Sequence, residues 1–253
     1  MISAAGTSLH VQALGPSDAP RATVVMLHGL FVGTLATWYF TAAPSLARDR
    51  RVIAYDLRGH GRSERARQGY DVATMAADLA AVTDALGSRP LDLVGHSYGA
   101  LVALRFALDR PERVRRLVLI EAPLPPSRFR ELDELTQRSP AEMLDTLPEA
   151  MRAMLISGGR RAHRLLESFQ FLASETTLLA DLRREPDIDD AELARVRCPV
   201  LCVYGERSSC RDVGDRLARA IPGATLRVLP GGHFLPLEVP ALLTGLLAEF
   251  LDG

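Results

Sequence analysis

The chain has 253 residues, a formal net charge of −1 and 24% charged residues. It is long enough to bury a large core, and its charge gives no electrostatic basis for binding nucleic acid or an anionic membrane. It contains neither lysine nor asparagine, which excludes Schiff-base chemistry, a lysine-dependent phosphate loop and N-glycosylation.

In chain order, residues 1–6 show no basic region followed by an apolar core, so no signal peptide is expected. Residues 7–14 read as a strand closed by the turn Gly15-Pro16-Ser17. Residues 23–27, 52–55, 91–94, 114–120, 199–204 and 224–229 are short apolar runs, the pattern of strands buried on both faces. Helical patterns lie between them at 72–86, 100–108, 213–220 and 240–250. Strand alternating with helix predicts an α/β fold with a doubly wound, mostly parallel sheet.

One interval breaks the alternation. Residues 122–197 show only helical periodicity. Met143, Leu144, Leu147, Met151, Met154 and Leu155 form one apolar stripe, and Leu165, Phe169, Leu172, Thr176 and Leu179 form another. The interval is too long for a structureless loop. It is expected to be a helical cap inserted into a core made of residues 1–121 and 198–253. No apolar run reaches membrane-spanning length. Cys198, Cys202 and Cys210 have neither zinc-site spacing nor the count of a disulfide framework, which predicts reduced thiols in a cytoplasmic protein. No cofactor fingerprint occurs, and no cofactor or metal is expected.

The chemistry concentrates at Ser97. It sits in Gly95-His96-Ser97-Tyr98-Gly99, directly after the strand 91–94 and directly before a helical run. Strand, Gly-x-Ser-x-Gly and helix in that order describe a nucleophile elbow. A serine hydroxyl becomes a nucleophile only when exposed at a tight turn, near a base and beside backbone N–H donors.

Four further motifs accompany the elbow: Leu27-His28-Gly29-Leu30, the run from Tyr55 to Ser63 (Tyr-Asp-Leu-Arg-Gly-His-Gly-Arg-Ser), Tyr204-Gly205-Glu206, and Gly231-Gly232-His233-Phe234. With these five motifs in order, nearly the whole chain resembles an α/β-hydrolase of the single-chain, helical-cap type. The resemblance implies that Ser97 is the nucleophile. Of six histidines, only His233 follows both the nucleophile and any plausible acid, the chain order of this family, so it is the expected base. His10 is expected exposed, His28 and His60 to brace loops, His96 to point away from Ser97 by alternation, and His163 to be a surface residue.

The acid departs from the commonest pattern. Many relatives carry an aspartate where this chain has Ser208, which cannot supply a charge to stabilise an imidazolium. Glu121, which ends the strand 114–120 just before Ala122-Pro123, is the expected acid, because some capped relatives take theirs from that strand. Asp212 and Glu206 are the alternatives. The resemblance implies an oxyanion hole from the N–H groups of Tyr98 and Leu30, with Phe31 adjacent as an alternative. Phe31, Trp38 and Phe234 are candidates for the substrate pocket.

The implied activity is serine hydrolysis of an ester, thioester or lactone of an apolar small molecule, presented free or on coenzyme A or an acyl carrier protein. Two other readings stay open. The same triad serves C–C bond hydrolysis, peroxidase, or cyclase or lyase chemistry on related folds, and a ligand-binding receptor can retain a hydrolase fold.

Overall fold

A computed structural model of the protein describes residues 1–4, 6–87, 90–124 and 149–253. Strands β1 (Ile2–Ala4) and β2 (Thr7–Leu9) form an antiparallel hairpin. The main sheet has seven strands: β3 (Val11–Leu14), β4 (Val24–Leu27), β5 (Val52–Tyr55), β6 (Leu91–His96), β7 (Val114–Ile120), β8 (Val200–Gly205) and β9 (Thr225–Leu229). Their spatial order is β3-β5-β4-β6-β7-β8-β9. Only β3 runs antiparallel to its neighbour.

Every residue of β4, β5, β6 and β8 is buried. Their unbroken apolar runs follow from the helices that cover both faces. On one face α3 (Val72–Ala85) and α4 (Tyr98–Asp109) supply Met75, Leu79, Leu101 and Leu104 to the core. On the other, the short helices α1 (Ala36–Tyr39) and α2 (Ala43–Leu46) and the last helix, Pro240–Asp252, supply Trp38, Leu46, Leu243 and Leu247.

The expected single strand over 7–14 is divided between two sheets. His10 stands at the break, half-buried rather than exposed, with Nδ1 2.9 Å from Asp56 Oδ2 and its N–H donated to Ser63 Oγ at 2.9 Å. A polar residue anchored sideways in this way turns the chain from one sheet into the other.

Parallel register brings three strand ends level. His96 lies opposite Ile120, and Ile120 opposite Val203. The ladder continues one step past the strands: Ser97 N–H donates to Ile120 O at 2.8 Å and Glu121 N–H to Val203 O at 3.0 Å. Ser97, Glu121 and the loop after β8 therefore share one edge of the sheet, at the carboxyl ends of its strands.

Among the described residues of 122–197 there is no strand. They fold into α5 (Glu149–Ser157), α6 (Arg160–Ser174), α7 (Leu178–Arg184) and α8 (Asp190–Leu193). Met143, Leu144, Leu147 and the side chains of Met151 and Met154 lie outside the described residues. The second stripe is shared by two helices. Thr176 Oγ1 donates to Leu172 O at 2.6 Å and accepts from Leu178 N–H at 3.1 Å, closing one helix and opening the next. Leu172, Leu178 and Leu182 are buried against the core.

This helical segment is fastened at several points to the loop between β5 and α3. Thr177 N–H donates to Arg67 O at 2.9 Å. Asp181 Oδ2 accepts from Tyr70 N–H and Glu185 Oε2 from Val72 N–H, both at 3.0 Å. The Arg65 guanidinium lies 4.2 Å over the Phe171 ring, and the rings of Phe31 and Phe169 are 4.8 Å apart.

Candidate active site

Ser97 occupies the turn between β6 and α4 with φ 54° and ψ −124°, a conformation that costs a non-glycine residue energy and that packing must enforce. A side chain at Gly95 would meet Gly99 O at 2.4 Å and Ala100 Cα at 2.5 Å. Strand and helix can close this tightly only without a Cβ there.

Ser97 Oγ is 3.0 Å from His233 Nε2, and His233 Nδ1 is 3.2 Å from Glu121 Oε2. Glu121 is fully buried and has φ 54°. Its Oε1 accepts from Gly205 N–H at 2.6 Å, and its Oε2 also accepts from the Ser208 hydroxyl. A carboxylate wholly removed from water is tolerable only with such partners. Ser208, for its part, donates its hydroxyl to a carboxylate delivered from the end of the neighbouring strand β7. Asp212, on the first turn of the helix Arg211–Ala220, and Glu206 are both exposed; the carboxylate facing His233 is that of Glu121.

Burial works against a charged His233 ring. The Cys210 sulfur and the Glu121 carboxylate beside it more than offset that, and its pKa is pushed up to about 9. Two residues hold the loop that carries it. Glu238 accepts from Gly232 N–H at 2.8 Å and from Phe234 N–H at 3.0 Å. His96 Nε2–H donates to the His233 carbonyl at 2.7 Å, with the two rings 5.2 Å apart. Burial and the neighbouring His233 lower the His96 pKa to about 3, so His96 is a neutral brace. Alternation along β6 correctly turns His96 from Ser97, but it gives no hint that the loop after β9 lies where the ring arrives.

The opposite side of Ser97 is the loop after β4. A Cβ on Gly29 would lie 3.0 Å from Ser97 Cβ and 3.4 Å from its Oγ, so this backbone passes directly beside the Ser97 hydroxyl. Two buried histidines lash it down reciprocally. His28 Nε2 accepts from Leu57 N–H, and His60 Nε2 accepts from Phe31 N–H, both at 3.0 Å. Each ring donates through Nδ1–H to a carbonyl, His28 to Gly29 O at 2.7 Å and His60 to Arg58 O at 2.8 Å, which fixes both tautomers. Burial lowers both pKa values, that of His60 to about 3 with His28 adding to the shift. Arg58 is itself clamped by a buried two-pronged pair with Asp78, at 2.7 and 2.8 Å.

Phe31 (φ 61°) gives its N–H to His60, which removes it as an oxyanion donor. The Leu30 N–H has no hydrogen-bond partner among the described residues. Tyr98 begins α4, and its phenol is buried and donates to Tyr70 O at 2.5 Å. Among the expected pocket residues, the half-buried Phe234 meets the His233 ring edge-on at 5.4 Å, and Phe31 packs on Phe169. Trp38 belongs elsewhere: it is fully buried in the core beneath the sheet with Met26, Val94 and Leu235, which leaves no part of its indole to face a substrate.

The family model for the alpha/beta hydrolase fold matches residues 22–153. The protein named "Putative carbamate hydrolase RutD" from Variovorax paradoxus (strain S110) is 32% identical across 96% of each chain. A non-heme chloroperoxidase from Streptomyces lividans is 30% identical over 89% of each chain. Among solved structures, the carboxylesterase CesB (YbfK) from Bacillus subtilis is similar with a TM-score of 0.74 and 26% identity, covering 100% of this chain and 91% of that one. No helix among the described residues is long and apolar enough to cross a membrane.

Proposed function

Because the chain belongs to the α/β-hydrolase fold family and is an enzyme of that family, we propose that it hydrolyses an ester, thioester or lactone of an apolar small molecule through an acyl-enzyme on Ser97. One observation carries this reading above the others. The Ser97 hydroxyl, the His233 ring and the Glu121 carboxylate are connected in series at 3.0 and 3.2 Å.

Ser97 Oγ attacks the carbonyl carbon while His233 Nε2 takes its proton. Glu121 holds Nδ1–H in place and stabilises the imidazolium that forms. The Leu30 and Tyr98 N–H groups donate to the oxyanion. The intermediate collapses, and the alcohol or thiol leaves with the proton from His233. Water, deprotonated by the same nitrogen, then releases the acid and restores Ser97. RutD's assignment to carbamates and CesB's to carboxylic esters share this core: addition to a carbonyl that bears a heteroatom leaving group.

In this reading residues 122–197 act as a cap that shields the acyl group, and Phe31, Phe169 and Phe234 give the site its apolar walls. A thioester on coenzyme A or an acyl carrier protein fits the same chemistry, and the free thiols of Cys198, Cys202 and Cys210 suit a reducing cytoplasm. The test is a panel of acyl esters and acyl thioesters of graded chain length, alongside a fluorophosphonate probe read by mass spectrometry. Turnover that tracks acyl length, with one adduct on Ser97, supports the reading; absence of both overturns it in favour of a binder. The chloroperoxidase relative favours a second reading, peroxide-dependent halogenation by the same triad, which a peroxide-driven halogenation assay separates from hydrolysis.

A further inference from the structure

The cysteine spacing in the chain excludes a zinc motif read along the sequence, but folding assembles a different donor set. Cys210 Sγ, a Glu121 carboxylate oxygen and a His233 ring nitrogen all lie within 4.8 Å of one another. Cys210 is buried just before the helix Arg211–Ala220, with its N–H donated to Ser208 Oγ at 3.0 Å. The Glu121 oxygen comes from the end of β7 and the imidazole from the loop after β9, so three separate strands meet here.

We propose that Glu121, Cys210 and His233 form an inhibitory site for a thiophilic divalent cation of the Zn²⁺ class. Thiolate, imidazole and carboxylate are the three ligand types such an ion takes, at about 2.3, 2.0 and 2.1 Å. With tetrahedral angles those bond lengths put sulfur and nitrogen about 3.6 Å apart, so the side chains close by up to roughly 1.2 Å from the separation they have now. Two anionic ligands neutralise the 2+ charge, which makes the ion tolerable at a buried position. Three protein ligands leave a fourth position for water.

The proton balance gives the consequence, which rests on His233 being the base of the proposed hydrolysis. Binding releases the Cys210 thiol proton to solvent. The metal takes the Nδ1 lone pair. From the charged ring, favoured below a pKa of about 9, the Nδ1 proton also leaves to solvent and one proton stays on Nε2. In the neutral ring the single proton relocates to Nε2. A protonated Nε2 cannot accept the Ser97 proton, so the ion switches the base off without touching the nucleophile.

The test separates binding from inhibition. Titration of the intact protein with Zn²⁺ by calorimetry is expected to show one site per chain, and Co²⁺ to give a thiolate charge-transfer band. In Cys210→Ala, affinity is expected to fall by more than the roughly 100-fold that loss of an outer-shell partner costs, and the band to vanish. Cys210→Ser, closer in volume, decides in the same way if the alanine variant fails to fold. Ester hydrolysis by the parent protein is expected to be inhibited by Zn²⁺ and restored by a chelator, with each variant compared with its own metal-free rate. Equal Zn²⁺ affinity in the parent and the Cys210 variants overturns the site. A Cys210-dependent site that leaves hydrolysis untouched upholds the site and overturns His233 as the base.

Discussion

Ser97 is served from two sides that are built in opposite ways. On the acid side, a buried carboxylate faces a histidine whose pKa is pushed up to about 9, and a thiol lies alongside. On the oxyanion side, the two histidines are both driven towards neutrality, His60 to about 3. They serve as uncharged acceptors that fix backbone. The proposed acyl transfer accounts for the difference through the charge each side would meet. The acid side must hold a cation as it forms. The oxyanion side must present N–H dipoles in fixed positions, and a titrating group there would alter the field with pH.

The largest effects should come from breaking the acid side at its centre. Ser97→Ala and His233→Ala are each expected to lower kcat by on the order of 10⁶, as members of a unit whose losses do not add; steady-state kinetics with thermal melts as a folding control checks this. Next, Glu121→Gln is expected to cost on the order of 10⁴ in kcat, while Asp212→Asn stays near the parent rate. The reverse pattern would return the acid to the strand end after β8.

Breaking the oxyanion side should cost less. His60→Ala frees the Phe31 N–H and loosens the loop beside Ser97, with an expected loss of about 10² in kcat and little change in KM. His60→Gln, whose amide oxygen can accept the same bond, should recover part of it. A uniform loss of folded protein would instead lower the rates of both variants alike. The smallest effect is a shift in pH profile. His233 works as a base only when neutral, and its pKa is raised, so kcat/KM should rise with pH, reach half its maximum near pH 9 and level off above that. Glu121→Gln removes a charge that raises this pKa and should move the limb to lower pH. His60, its pKa lowered to about 3, should add no limb between pH 5 and 9.

Local sequence carried the elbow and most of the sheet, because an apolar run flanked by turn residues needs no distant partner to be recognised. Ser97 has the left-handed φ that its place between two glycines implies. Glu121 stood out because it ends the one other strand from which the resemblance lets an acid come, once Ser208 fills the commoner place. Its own positive φ, its bond from Ser208 and the arrival of Cys210 were not legible, since all depend on how β7, β8 and β9 align. His10 misled for a related reason: the sequence there reads as one continuous strand, and the chain changes sheets at that residue. Trp38 reads equally well as core or pocket until the face that α1 covers is known.

The two carboxylates that reach the start of α3 have a consequence of another kind. The first N–H groups of a helix lack partners within it. Here Val72, the first residue of α3, donates its N–H to Glu185, and Tyr70, just before the helix, donates its own to Asp181, both more than a hundred positions along the chain. The protection of two amides at the start of α3 therefore depends on the docking of a distant helix. Hydrogen–deuterium exchange at Tyr70 and Val72 becomes a reporter of that docking. It can be read in the resting enzyme, without a substrate, a label or a mutation near Ser97.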